Sequence, residues 1–597
     1  MKKFSLSQWR LDREAWLALL AFGVNLFLVF NAFLPSLRDL NFWDEAVYLN
    51  TGRLLAEGEL PSFARNPLIG ALYGLLYLPF RDAPLWMGQG AAIGRVILFA
   101  LMWWGCYLAA REFGGFAPAL AATGFLLVFP VLPEALVNPS DALFAAMSGF
   151  AFWQATRFYN TRDTRNLWGA SFFIGLAALS RNDGLLLFPI FILLAFGISR
   201  RAVQGQAMPG EARRYAWYRR PLVGFSWVIP AALPFALLVG GYFLLYGAVT
   251  GDFSLGTRER SYVAFQQGQA IDYQKDPSCT EKWLRCTVLQ AEQLYGSGEE
   301  NNYSILRAIS RNPQAFGRRF LKQVSLLPGY IYSIYGERTA LLLFILALRG
   351  LLELLRRRQG LLAALFLLWP LTLSVYFLTF FRIGYFRLPY FILYILGAIG
   401  AAAFAADARE RRNLFIWSVL LAGVTIPAML LDVRAVYFTT ALLLAGLWFI
   451  RFLPGRETAE ANWSAAGLLV ILAIGLILRP VFDPPAPHDL VNGAEEQAAV
   501  VMQEELPRGS LVMAGAPGGV WAGRMEFHDA NSYSGLTSSA ELYEALKGAG
   551  VAAIFVDPYL SNTNEHVWNL VEPGIDTWYK SVYVGREGSI RVLLVQP

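Results

Sequence analysis

Histidine is absent from the first 487 of the 597 residues; the three present are His488, His528 and His566. Chemistry in the preceding part must rest on carboxylates, with no histidine-ligated metal and no serine–histidine pair. The first candidates are Asp44 and Glu45 in Asn41-Phe42-Trp43-Asp44-Glu45-Ala46-Val47-Tyr48. Adjacent carboxylates beside aromatic rings can serve as a general base and a partner, since desolvation and mutual repulsion raise a carboxyl pKa toward the working range. An interfacial helix cap is the alternative for this pair. A second acid, Asp141, follows Asn138-Pro139-Ser140, where it either contributes chemistry or caps a helix. Arg181, Asn182 and Asp183 share one turn ahead of Gly184, with a plain solvated turn as the competing reading. Arg382, Tyr385 and Arg387 lie in Phe381-Arg382-Ile383-Gly384-Tyr385-Phe386-Arg387-Leu388-Pro389. Guanidinium binds phosphate with a two-pronged fork, so this segment suits an anionic head group, general lipid contact being the alternative.

The elements that position these residues are membrane helices. The chain is 56% hydrophobic and 16% charged, with a mean hydropathy of +0.42, against about 25% charge in soluble proteins. Uncharged runs of membrane-spanning length recur. They fall at about 15–36, 91–110, 116–133, 141–156, 167–180, 183–199, 222–249, 339–356, 361–380, 388–406, 413–431, 435–450 and 463–479. This predicts a polytopic α-helical membrane protein with about thirteen spans. Its net charge of +6 and pI near 9.1 reflect cations that hold loops inside, not nucleic-acid binding. Arginines at 157–165, 200–220, 356–358 and 409–412 occupy alternate short loops, on the side of Lys2 and Lys3, so the amino terminus is expected in the cytoplasm. The first span has no small-residue cleavage site and reads as retained. Span centres are almost free of charge; the exception is the eighth segment, Glu337 with Arg338 or else Arg349, where snorkelling is expected.

In that orientation residues 37–90, residues 250–338 and the tail face outward. Leu68 to Phe80 is short for a crossing and reads as an interfacial or re-entrant helix. The chain divides into a membrane part, 1–482, and a tail, 483–597, after Asp483-Pro484-Pro485-Ala486-Pro487. The tail pattern predicts a small α/β domain: helices at 495–506 and 538–547, strands at 510–513 and 551–556, and a hairpin of 581–584 with 590–595. Cys279 and Cys286 either form a disulfide or stand as two thiols, and Cys106 reads as a packing residue within a span.

The ordered set of motifs resembles the GT-C class of membrane glycosyltransferases, in particular protein O-mannosyltransferases and the aminoarabinose transferases that modify lipid A. Trp43-Asp44-Glu45-Ala46-Val47-Tyr48 is similar to the acidic motif of that family's first outer loop. Arg65-Asn66-Pro67-Leu68 resembles its proline-containing element, with one proline where two are common. Asn138-Pro139-Ser140-Asp141-Ala142, Ser180-Arg181-Asn182-Asp183-Gly184 and Arg387-Leu388-Pro389 resemble the second acidic position, the basic turn and the late arginine–proline element.

The resemblance implies a GT-C fold in a bacterial inner membrane, with an extracytoplasmic tail. The implied enzyme inverts the anomeric carbon of a monosaccharide as it moves from polyprenyl phosphate to an envelope acceptor, a glycolipid such as lipid A, a polysaccharide or a protein. It implies Asp44 as general base and Glu45 and Asp141 as groups that position hydroxyls. Arg181, Arg382 and Arg387 would hold phosphate, with Asn182, Asp183, Tyr385 and Arg65 as further substrate contacts. Oligosaccharyltransferases of the same broad class coordinate a divalent cation, but Trp103-Trp104 is followed by Gly105 and no acceptor motif of theirs is present, so no required metal is expected. Two other readings are a polysaccharide polymerase or ligase acting through Arg258, Arg260, Arg318 and Arg319, and a lipid-linked sugar flippase. Scarcity of charge at span centres speaks against the flippase.

Overall fold

The computed structural model describes residues 13–33, 44–59, 66–83, 86–128, 138–205, 227–251, 258–268, 283–334, 339–368, 390–408, 410–430, most of 440–451, and 494–596 apart from 534, 586 and 587. Among them, three helices are long and apolar enough to cross a membrane: Trp86–Gly114, Trp227–Val249 and Arg411–Leu430. They fall on the expected spans 91–110, 222–249 and 413–431. Shorter apolar helices lie at Glu14–Phe27, Pro67–Phe80, Gly184–Ile198 and Ile392–Asp407. The expected span 463–479 lies outside the described residues.

In chain order the helices that matter here are α1 (Arg13–Phe33), α2 (Asp44–Glu57), α3 (Pro67–Tyr77), α4 (Trp86–Gly114), α5 (Phe116–Val128), α6 (Pro139–Thr161), α7 (Thr164–Ser180) and α8 (Gly184–Gly205). After them come α9 (Arg258–Gln267), α10 (Trp283–Tyr295), α11 (Ile305–Arg311), α12 (Pro313–Ile334), α13 (Thr339–Arg356) and α14 (Tyr390–Asp407). The chain separates into two compact units. One comprises Met1–Val29, Leu98–Leu136 and Ser140–Pro485; the other comprises Phe30–Ile97, Val137–Pro139 and Ala486–Pro597.

In the first unit, helices approach through glycine. A Cβ at Gly105 would meet the Ala146 carbonyl of α6, and one at Gly149 the backbone of Gly105. The same holds for α13 and α14: side chains at Gly350 and Gly400 would overlap the partner helix's backbone. Beside this crossing Arg349 donates to Asp407 Oδ2 from Nε and Nη2 at 2.9 and 2.8 Å, and to Glu353 at 3.1 Å. Trp417 also donates to Asp407, at 3.0 Å. Arg349 therefore does not snorkel; a buried carboxylate on the facing helix satisfies it in place, which offsets the desolvation of its charge. Glu337 and Arg338 lie outside the described residues. Cys106 is buried, as expected of a packing residue, and Cys279 lies outside the described residues.

The described part of 250–338 has its own small core of Tyr262, Phe265, Tyr295 and Ala308. The buried Asn301 amide donates to the Tyr262 hydroxyl, Tyr295 O and Ser297 O at 2.7, 2.8 and 2.9 Å. That tie holds the turn in which Asn302 and Tyr303 adopt left-handed backbone, φ 48° and 53°.

In the second unit, the tail is an α/β domain with a five-stranded sheet of order β2-β1-β3-β5-β4. Its strands are β1 (Leu511–Ala514), β2 (Glu526–Asp529), β3 (Val551–Val556), β4 (Tyr579–Gly585) and β5 (Ile590–Val595). β1 pairs parallel to β2 and β3, whereas β5 lies antiparallel to β3 and β4. Helices Ala494–Glu505 and Ser539–Gly548, strand β3 and the final hairpin match the sequence expectation. Strand β2 and helices Pro517–Ala522 and Glu565–Val571 add to it.

Open sheets of this type bind ligands in the crevice where strand order reverses, here between the carboxyl ends of β1 and β3. In this domain the crevice is filled. A Cβ at Gly515 would overlap the backbone of Tyr559 and Leu560. The fully buried Asp557 accepts from Ala516 N at 2.9 Å and Leu560 N at 2.6 Å, clasping the two loops together. Burial pushes its carboxyl up to about 7, against the pull of those backbone donors.

Candidate active site

Helix α2 opens at Asp44 and ends at Glu57. It packs on α3, which Pro67 begins at a position where the missing N–H is no loss. The two helices meet backbone to backbone: a Cβ at Gly52 would lie 2.5 Å from Gly74 N, and one at Gly70 2.7 Å from the Thr51 methyl. Tyr73 of α3 then reaches past Gly94 of α4, where any Cβ would overlap its ring.

This packing encloses Glu45, whose exposure is 0%. Arg95 of α4 meets both carboxylate oxygens, Nη2 to Oε2 at 2.5 Å and Nε to Oε1 at 3.3 Å. The Tyr73 hydroxyl donates to Oε1 at 3.3 Å. Of the two adjacent acids, Glu45 is thus turned into the protein and neutralised by a guanidinium, while Asp44 begins the helix.

The other end of α2 repeats the scheme with different partners. Glu57 accepts from the Tyr77 hydroxyl at 2.7 Å and pairs with Arg53 at 3.2 Å and with Arg508 of the tail at 2.8 Å. Partial burial raises its carboxyl pKa, but the Tyr77 hydrogen bond and the two arginines outweigh that and hold it below the usual range. Nearby, Arg524 adopts left-handed backbone, φ 61°, and its guanidinium donates to the carbonyls of Arg81 and, at 3.3 Å, Ala83.

In the first unit, Asp141 lies in the first turn of α6, and Arg181 follows the last residue of α7. Arg181 donates from Nη1 to Asp141 and from Nε to Asp183 Oδ2 at 3.0 Å, its side chain only 14% exposed. Gly184 is required where α8 begins, because a Cβ there would overlap Ala177 and Ala178. One guanidinium between two carboxylates fixes the orientation of this turn. Asn182 is exposed beside it. Asp141, chosen separately from the turn that holds Arg181 and Asp183, joins them in one cluster.

Arg65, Arg382, Tyr385 and Arg387 lie outside the described residues. Arg319 is turned inward: it donates to Phe265 O at 3.4 Å and lies over the Phe265 and Phe316 rings, at 5.3 and 5.0 Å. It secures α12 to α9, which does not favour the polymerase reading. Among the described residues no group of three or more metal-ligating side chains occurs. His566 binds the Leu536 carbonyl at 2.8 Å, and the His528 ring lies 5.4 Å from that of Tyr533.

Arg95 and Tyr73 were missed by the sequence reading. A lone arginine inside an otherwise uncharged span was the available signal, since intramembrane charge needs a partner.

No family model matches the chain, and no curated protein matches it. Solved structures do resemble it. ArnT from Cupriavidus metallidurans bound to undecaprenyl phosphate is 15% identical, with a TM-score of 0.48 over 98% of each chain. In its apo state the figures are 15% and 0.49 over 97% of each. The apo oligosaccharyltransferase of Archaeoglobus fulgidus is 13% identical, with a TM-score of 0.47 over 96% of this chain and 74% of the other. The resemblance of the chain to GT-C membrane glycosyltransferases rests on its sequence motifs. Likeness at these scores assigns no residue a role, so the roles below rest on the chemistry of the chain's own side chains.

Proposed function

We propose that the chain is a membrane glycosyltransferase that moves a monosaccharide from a polyprenyl-phosphate donor to a hydroxyl or phosphate of an envelope acceptor on the outer face of the membrane. The observation that carries this reading is the buried ion pair of Glu45 with Arg95, which ties down one member of the acidic pair; the proton transfer is assigned to the other, Asp44. Asp44 removes the acceptor proton as its oxygen attacks the anomeric carbon, and the phosphate leaves from the opposite face with inversion. Arg181, fixed by Asp141 and Asp183, stabilises charge on the departing phosphate together with Arg382 and Arg387. A preorganised contact of that kind is worth a few kcal/mol of barrier. The proposal needs no metal ion.

Asp44→Asn tests it. The variant is expected to lose transfer by a factor of at least about 10², while full-length protein in nanodiscs still binds undecaprenyl phosphate. Mass spectrometry of envelope glycolipids and glycoproteins, with and without the gene, identifies sugar and acceptor. Full activity of Asp44→Asn excludes Asp44 as the base.

A further inference from the structure

The buried group next to the proposed base has a use that stability does not explain. An ion pair taken out of water is weak evidence for stability, because apolar side chains of similar volume hold a fold as well or better. Helix α2 also has no need of it for attachment, since Gly52 and Gly74 already bring α2 and α3 into backbone contact. What Arg95 and Tyr73 add is direction. The guanidinium addresses both Glu45 oxygens and the Tyr73 hydroxyl shares one of them, which fixes the rotation of the first turn about the helix axis. Tyr73 is held in turn by the absence of a side chain at Gly94. A helix has a radius of about 5 Å with side chains, so a rotation of about 20° displaces a surface atom by nearly 2 Å. Misplacement of 1 Å can reduce rate by about 10²-fold.

We infer that Arg95 and Tyr73 are positioning residues that act through Glu45 to set where Asp44 presents its carboxylate. This rests on Asp44 being the base. Glu45 then contacts no substrate, and its loss changes turnover while leaving binding intact.

Full-length protein in nanodiscs is assayed with the lipid-linked sugar identified by mass spectrometry. Arg95→Met is expected to lower kcat by about 100-fold with KM for the donor and acceptor within about twofold. Arg95→Lys, which keeps the charge but not the fork, should regain about tenfold. Tyr73→Phe removes a single hydroxyl and gives a second measure should Arg95→Met fail to fold; its kcat should fall about threefold or more. Unchanged kcat in both Arg95→Lys and Tyr73→Phe, or a loss that appears in KM, overturns the inference.

A second readout does not require turnover. A charged maleimide is reacted with Asp44→Cys in a chain whose three native cysteines are replaced. Adding Tyr73→Phe should change the labelling rate about threefold or more, relative to Asp82→Cys as control. An unchanged rate rejects the positioning role. Absence of any transfer by the unmodified chain would sink the proposed function and this inference with it, whereas an unchanged labelling rate beside intact transfer overturns this inference alone.

Discussion

The two ends of α2 are built from one plan and solved in opposite media. Each end places a glutamate between a tyrosine of α3 and an arginine from another element: Glu45 with Tyr73 and Arg95, Glu57 with Tyr77 and Arg508. At the first end both charged side chains are 3% exposed or less; at the second, Arg508 is 58% exposed and Glu57 22%. Water screens the second pair and gives it alternatives, whereas the first pair is closed off from water. The same chemical grouping is therefore a rigid fixture at the Asp44 end and an adjustable tie at the tail.

The largest test of this contrast is Glu45→Ala, which strands the Arg95 charge in the interior. It should destabilise the protein by about 3–5 kcal/mol, visible as a pronounced fall in the Tm of the detergent-solubilised chain. A drop no greater than that of Glu57→Ala would erase the distinction. Next is Gly52→Val, which inserts a branched side chain where even one carbon is too close to Gly74. Overpacking of about 1–3 kcal/mol is expected, with transfer reduced because both ends of α2 move together.

The tail supplies a third. Asp557→Asn turns an amide donor toward one of two backbone N–H groups and should cost about 1–3 kcal/mol, loosening the Arg508 contact without touching the Arg95 pair. The pH dependence has a defined sign. The folded tail keeps the Asp557 proton up to about 7, while the unfolded chain releases it near 4. That contribution to stability is complete below about pH 4 and is lost as pH rises through 7, so between pH 5 and 8 the melt of the native chain should decline more steeply than that of Asp557→Asn. The smallest effect is Arg508→Ala, about 0.2–1 kcal/mol, and it should vanish in 1 M salt. Salt-insensitive loss would mean that the tail contact is not the exposed tie described.

Much of the architecture was legible. Long uncharged runs require helices, and the tail's later strands carry the branched residues of Val551–Val556 and Ile590–Val595. β2 was not, because Glu526-Phe527-His528-Asp529 lacks any β-branched residue and pairs only at the sheet's margin. Arg181, Asp141 and Asp183 were each visible as charges at turns, but their union depends on how α6 and α7 pack. Glu45 was read as a substrate-facing acid since its partners lie 28 and 50 residues away, a distance over which local spacing carries no information. Arg349 was misread for the same reason: Asp407 is 58 residues distant.

Gly350 and Gly400 lie where α13 and α14 cross with no side chain between them, next to the Arg349–Asp407 link. Two rods seated in each other's notches and pinned at one point neither slide nor roll. Whatever displacement a turnover cycle demands of this region, that couple travels as one beam, and the bending falls on the segments that enter and leave it.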